Sequence, residues 1–148
     1  TEPYVLLFSW NGAPEAVAIT KTVAAKLGCK AYYIVPPPRA MFCGIERKLD
    51  VGPKEFLSLI KYADFVVTNS FHGTVFSTIY QKPFISAITD KPDARRASLM
   101  KQFGLEDHLM NPANLDLDKI YHTDFKKVNE RLMPLREHSI NYLYKALE

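Results

Sequence analysis

The chain has 148 residues, a length suited to one domain with a core of its own. Its 47% hydrophobic and 24% charged residues, with a net charge of only +3, describe a soluble globular protein rather than a fibrous or disordered one. Lys and Arg are scattered without interleaved aromatics, which excludes a nucleic-acid surface, and no apolar stretch is long enough to cross a bilayer.

Residues 4–8, Tyr-Val-Leu-Leu-Phe, form a short apolar run that reads as a strand buried on both faces. Ser9-Trp10-Asn11-Gly12 breaks it. The preceding Thr1-Glu2-Pro3, with no initiator Met and no signal peptide, leads to the expectation of a piece excised from something longer, or of a processed terminus. Pro14 suits a first helical position, and Ala16, Ile19, Val23 and Leu27 recur at helical spacing up to a stop at Gly28. Residues 31–35 read as a second strand, ended by three prolines.

Residues 36–50 carry no clear period, and Pro36, Pro37, Pro38, Arg39 and Lys48 predict an exposed, mobile loop. Gly52-Pro53 opens a helix with Phe56, Leu57, Leu59, Ile60 and Ala63 on its apolar side. Residues 65–68 are the third strand, after which Ser70 is expected to cap a helix running to about Tyr80 by accepting an orphan backbone N–H. The fourth strand is read over residues 83–88. Asp93 caps a further helix bearing Leu99, Met100 and Phe103, ended by Gly104. A short fifth strand is expected over residues 108–110. From Phe125, the positions Val128, Leu132, Leu135, Leu143 and Ala146 trace a long terminal helix, kinked or interrupted near Pro134. Apolar strands alternating with helices predict one α/β, Rossmann-like domain: a parallel sheet covered by helices on both faces.

Ligands of such sheets bind beyond the carboxyl ends of the strands, an edge that collects residues 9–12, 70–74 and 89–96. Ser70, Phe71, His72, Gly73 and Thr74 form the first turn of a helix, where unpaired N–H groups and the positive dipole end favour an anion. Gly73 is expected to let a ligand approach the backbone, and His72 adds an imidazole that donates hydrogen bonds or a proton near neutral pH. Plainer readings stand beside these. Ser70 serves as an N-cap with or without a ligand, a lone His at a helix start is often structural, and Arg95 and Arg96 can simply face solvent. Asp90 and Asp93 read as turn and cap residues. His108, His122 and His138 lack metal-ligand spacing, so no metal is expected, and each reads as structural or exposed. Cys29 and Cys43 are too few for a disulfide scaffold and point to free thiols in a reducing cytoplasm; Cys43 has no local His partner that would make it a nucleophile.

The ordered series Val51-Gly52-Pro53-Lys54-Glu55-Phe56-Leu57, then residues 63–77 with Thr68-Asn69-Ser70-Phe71-His72-Gly73-Thr74 at their centre, then Lys82-Pro83-Phe84 and Gly104-Leu105-Glu106-Asp107, resembles the polysaccharide pyruvyl transferases. Arg136, Ser139 and Leu143 fit the same pattern in the terminal helix, so the resemblance covers residues 50–148, with the first 35 matching only as a generic strand-helix-strand. It implies the carboxy-terminal, donor-binding half of a GT-B-like enzyme whose amino-terminal domain is a partner absent from this chain. It further implies transfer of the pyruvyl group of phosphoenolpyruvate to sugar hydroxyls of a cell-surface glycan, or of a lipid-linked oligosaccharide, without a cofactor. His72 is the catalytic residue by resemblance, with Asn69, Ser70, Phe71, Gly73, Thr74 and Arg95 on the donor. The implied location is the cytoplasm, including its membrane face. Ser70 and His108 stand where Arg is expected from the family pattern. Two alternatives keep the architecture: a nucleotide-sugar glycosyltransferase domain, for which Asp90 or Glu106 would meet a ribose, and a non-catalytic flavodoxin-like binding domain.

Overall fold

Parallel strands alternate with helices throughout the computed structural model, which describes residues 2–34, 43–91 and 93–147. Strand β1 (Tyr4–Phe8) is buried along its whole length. Because successive side chains leave a strand on opposite sides, Val5 and Leu7 enter one core while Tyr4, Leu6 and Phe8 enter another. Helix α1 (Pro14–Leu27) closes the first core with Ala16, Ile19 and Val23, and Gly28 ends it in the left-handed conformation, as expected. Strand β2 spans Lys30–Ile34, beginning one residue earlier than the sequence suggests; Val35, the prolines 36–38 and Arg39 lie outside the described residues.

The described part of the expected loop contains a third strand, β3 (Glu46–Lys48), paired in parallel with β2. Glu-Arg-Lys has no apolar signature, and the pairing comes from the open hydrogen-bonding edge of β2 rather than from its own side chains. Helix α2 (Pro53–Tyr62), strand β4 (Phe65–Thr68) and helix α3 (Phe71–Ile79) follow as the pattern predicts. Strand β5 (Phe84–Ala87) is shorter than expected, and helix α4 (Ala94–Phe103) is capped by Asp93, whose carboxylate accepts the Arg95 and Arg96 N–H groups. Strand β6 is only Leu109–Met110, because His108 belongs to the 3-10 turn before it. A short helix α5 (Leu117–Tyr121), not foreseen from the sequence, covers the α1 side through Ile120.

Helix α6 (Phe125–Leu147) runs through Pro134 without interruption. Its apolar positions do not form a buried stripe in this chain. Val128 is its one buried residue, while Met133, Leu135, Tyr142, Leu143 and Leu147 are exposed.

The strand order is β3-β2-β1-β4-β5-β6, all parallel, with Leu6 of β1 level with Tyr32 of β2 and Val66 of β4. The chain therefore works outward in one direction from β1, then returns and works outward in the other. At the reversal, β1 leads into α1 on one face and β4 into α3 on the other, and a crevice opens between their loops.

Candidate functional site

Two loops meet at that crevice. Asn69, just past β4, donates through Nδ2 to Oδ1 of Asn11, just past β1, at 2.8 Å, and the Ser9 hydroxyl donates to the same oxygen at 3.3 Å. Below them the Thr68 hydroxyl donates to the Phe8 carbonyl at 2.7 Å and accepts the Ser70 N–H at 3.0 Å, joining the ends of β1 and β4 to the start of α3. Oδ1 of Asn69 is buried and has no hydrogen-bond partner among the described residues.

Ser70 occupies the N-cap position of α3, but its hydroxyl makes no capping bond; the correction to the sequence reading is that the cap is backbone geometry alone. Its N–H is held by Thr68 and its carbonyl by the N–H and hydroxyl of Thr74, each at 3.0 Å. The N–H groups of Phe71, His72 and Gly73 consequently have no hydrogen-bond acceptor among the described residues. They form the open end of a helix dipole.

Gly73 serves a different need from the one expected. A Cβ there would clash with the Thr68 side chain and sit 3.0 Å from the Phe8 ring, so glycine allows α3 to lie against the strand ends rather than a ligand to reach the backbone. Thr74 is fully buried, and its hydroxyl is engaged with Ser70 and Ser86, so it shapes the turn from inside.

The His72 side chain is exposed, and its imidazole has no hydrogen-bond partner among the described residues. It stands at the rim of a cavity of about 690 Å³ lined by Phe8, Trp10, Phe56, Phe76 and Asp50 among others, with no Lys or Arg among the described lining residues. The Phe56 ring is 4.8 Å from Phe8 and 5.8 Å from Phe76, both edge-on, which fixes an aromatic wall. Asp50 holds a left-handed backbone conformation, with φ of 54°, beside the opening of α2. Phe71 separates this cavity from a shallower hollow. Its ring lies 6.0 Å from the His72 ring at 88°, and the Arg95 guanidinium carbon is 5.6 Å from its centre on the hollow's side. Arg95 is 77% exposed along its side chain and pairs with Asp93 at 3.3 Å.

Arg96 is the buried member of the pair, 4% exposed, and donates to Ser86 and to the Ala87 carbonyl. Asp90 is exposed, and so are His122 and His138. His108 is 2% exposed and belongs to the amino end of the sheet, where Nδ1 meets the Phe84 carbonyl at 2.8 Å and Nε2 the Thr123 hydroxyl at 2.7 Å. Its departure from the family pattern therefore lies at the opposite sheet edge from His72. Burial pushes the His108 pKa down to about 4. Cys29 and Cys43 are free thiols, and the described residues bring together no set of metal-ligating side chains.

Sequence reasoning missed the aromatic cavity. The signal available in the sequence was Trp10, a large aromatic placed in the loop just past a wholly apolar strand.

Strand order and crevice define the class: a Rossmann-type α/β domain with its candidate site at the point where the strand order reverses. The chain belongs to the polysaccharide pyruvyl transferase family, whose model matches residues 1–92. The matched stretch includes the His72 turn and the amino-terminal strand-helix-strand, which thus carries family signal beyond a generic pattern; it ends before Gly104 and the terminal helix. Among solved structures the chain is similar to the UDP-GlcNAc 2-epimerase of Methanocaldococcus jannaschii in complex with UDP-GlcNAc and UDP. That likeness has a TM-score of 0.56 at 15% identity, over 93% of this chain and 46% of that one. It shows a single Rossmann-like domain folded like about half of that neighbour, whose length the chain spans to 46%. Among curated proteins, none matches the sequence.

Proposed function

We propose that this chain is the donor-binding half of a transferase that moves the pyruvyl group of phosphoenolpyruvate onto two hydroxyls of a sugar, as a ketal. The observation that carries the reading is His72. An exposed imidazole stands beside N–H groups at the reversal point of the sheet, and neither has a hydrogen-bond partner among the described residues. An unengaged titratable group next to an anion-binding helix end is what the reaction needs.

A proton passes from an acid to the methylene carbon of phosphoenolpyruvate, and the enol double bond supplies the electron pair for the new C–H bond. One sugar hydroxyl attacks the resulting oxocarbenium-like carbon and loses its proton. The C–O bond to phosphate then breaks, its electron pair leaving with the phosphate. The second hydroxyl adds in its place and gives up its proton. Of the two hydroxyl protons, one restores the acid and the other goes to the phosphate. His72 is the proposed acid, and the first turn of α3 the proposed phosphate cradle, with no cofactor. Asn69 Oδ1, buried and without a hydrogen-bond partner among the described residues, suits a hydroxyl donor of the substrate. Asp50 on the cavity wall disfavours an anion inside the aromatic space and so supports placing the phosphate at the helix end.

The acceptor, a glycan or lipid-linked oligosaccharide, is proposed to enter from the amino-terminal domain of the same enzyme. The uncovered apolar side of α6 and the half-length match to the GT-B neighbour support that second domain. No described helix is long and apolar enough to cross a membrane. A cytoplasmic place, at or near the membrane face where such acceptors are built, fits the proposal.

One observation favours a second reading. The cavity's aromatic walls would accept a base, and the epimerase neighbour is seen with UDP-GlcNAc and UDP, so a nucleotide-sugar donor is the alternative. Calorimetry decides between them: heat with phosphoenolpyruvate, lost in His72→Ala, supports pyruvyl transfer, while heat only with a UDP-sugar supports the alternative. A phosphate-release assay with a glycan acceptor should then find turnover in a two-domain enzyme and none in this chain. Without the facing wall the incoming hydroxyl loses positioning that contributes as much as about 7–11 kcal/mol.

A further inference from the structure

Neither Arg96 nor Ser86 has a part in the chemistry above, yet both are removed from water directly behind the site, with Ser86 fully buried. The Arg96 Nη1 group donates to Ser86 Oγ and to the Ala87 carbonyl, each at 3.0 Å. Ser86 Oγ lies 3.2 Å from Thr74 Oγ1, which donates to the Ser70 carbonyl at 3.0 Å.

Only one direction of hydrogen bonding satisfies this row. The Ser70 carbonyl can only accept, so Thr74 spends its one proton there and must accept from Ser86. Ser86 in turn accepts from the guanidinium of Arg96, which can only donate. The row begins on α4, crosses the carboxyl end of β5 and ends at the residue that opens α3, two positions before His72. Thr68 and Gly73 clamp the same turn from the β1 side.

We infer that Arg96 is a positioning residue: through Ser86 and Thr74 it fixes the turn that presents the His72 imidazole and the free N–H groups of α3. Arg96, buried against the strand end, holds the Ser86 oxygen from one side while the Ser86 proton goes to Thr74 on the other. A neutral residue at 96 would leave Ser86 free to rotate and Thr74 free to release Ser70. The inference rests on the assignment of His72 as the reacting residue.

The test compares Arg96→Met, Ser86→Ala and the double variant. Turnover is measured in the two-domain enzyme, and amide hydrogen exchange at Thr74 in both that enzyme and this chain. Arg96→Met should lower kcat by about 10- to 100-fold, the scale of a small misplacement of a reacting group. KM for phosphoenolpyruvate should stay within about threefold, since the group acts on presentation rather than on the donor itself. Ser86→Ala should do the same, and the double variant should be no worse than the more damaged single one, because all three cut one row. Exchange at Thr74 should quicken while that at Leu6 and Leu7 stays slow. Should Arg96→Met not fold, Ser86→Ala, which removes one hydroxyl, carries the comparison. Unchanged kcat and Thr74 exchange in a folded variant would overturn the role, as would losses that multiply in the double variant or fall entirely on KM. If the wild-type enzyme transfers no pyruvyl group, the proposed function fails by itself, and the Thr74 exchange comparison still decides whether Arg96 holds the turn.

Discussion

Two histidines of this chain show how differently one side chain is used at opposite ends of a sheet. His108, at the amino end, is enclosed: the Phe84 carbonyl accepts from Nδ1, the Thr123 hydroxyl meets Nε2, and the Phe84 ring lies 4.4 Å away. Since a carbonyl only accepts, Nδ1 carries the proton and Nε2 is left to accept from Thr123. Nothing remains of His108 for a ligand. His72, at the carboxyl end, keeps both ring nitrogens free of partners among the described residues and faces the crevice. A structural histidine completes its bonds within the protein. The role proposed for His72 needs the reverse, ring nitrogens left open where a substrate can arrive.

The comparison breaks most sharply on activity. In a two-domain enzyme, His72→Ala should lower turnover by about 100- to 10,000-fold, the usual loss for a positioned acid or base. The melting temperature should not change, because no described bond of the fold depends on that ring. Turnover at the wild-type rate would put His72 in the same class as His108.

His108 should answer instead in stability and its pH dependence. Its folded pKa of about 4 lies below the ordinary value of 6.5, so between these pH values the unfolded chain takes up a proton that the folded chain refuses. The stability linked to this group is fully present above about pH 6.5 and is lost as pH falls toward 4, by at most about 3 kcal/mol. Urea titrations across that window should show the slope in the wild type and a flatter one in His108→Gln. Equal slopes would mean that other groups carry the acid sensitivity.

How much of this was legible beforehand follows from where each signal resides. Strands buried on both faces announce themselves, since every residue from Tyr4 to Phe8 is apolar, and the helix ends at Gly28 and Gly104 are written in glycine. Strand β3 could not be read, because its Glu-Arg-Lys sequence has no stake in the core and its existence depends on the free edge of β2. At the site, the His72 turn was visible as a motif, but the hydroxyl of Ser70 was given a capping bond that it does not make. Nor could the sequence separate Arg95 from Arg96. Adjacent helical residues point about 100° apart, and which one enters the interior depends on how α4 docks against β5.

The turn itself offers a smaller test of the contrast between an open site and a closed core. Gly73→Ala forces a methyl group against Thr68 and Phe8, an overpacking that should cost about 1–3 kcal/mol. Because the strain falls on the turn that carries His72, turnover should fall as well. A substitution of similar cost near His108 should leave turnover per folded molecule unchanged. Thermal melts and kcat measured on the same preparations make the comparison.

The smallest expected effect belongs to Arg95, the cation that the family resemblance places on the donor. Its guanidinium lies over the Phe71 ring, and Phe71 in turn meets His72 edge-on, so an anion at the start of α3 would feel its charge. The feeling is weak, for two reasons. The side chain is 77% exposed, which leaves its field screened by water, and Asp93 already neutralises much of it at 3.3 Å. Exposed charge pairs contribute about 0.2–1 kcal/mol, so Arg95→Ala should weaken phosphoenolpyruvate binding by only about 1.5- to 5-fold. The loss should appear in Kd and leave the chemical step alone, since the proposed proton transfer does not pass through this residue. Raising the ionic strength should shrink the difference between variant and wild type, as it would for any attraction acting through water. Calorimetric titration at low and high salt measures both quantities. A loss well beyond tenfold, insensitive to salt, would mean that Arg95 turns inward to touch the donor directly, and Phe71 would then be a hinge between two parts of one site rather than a wall between two hollows.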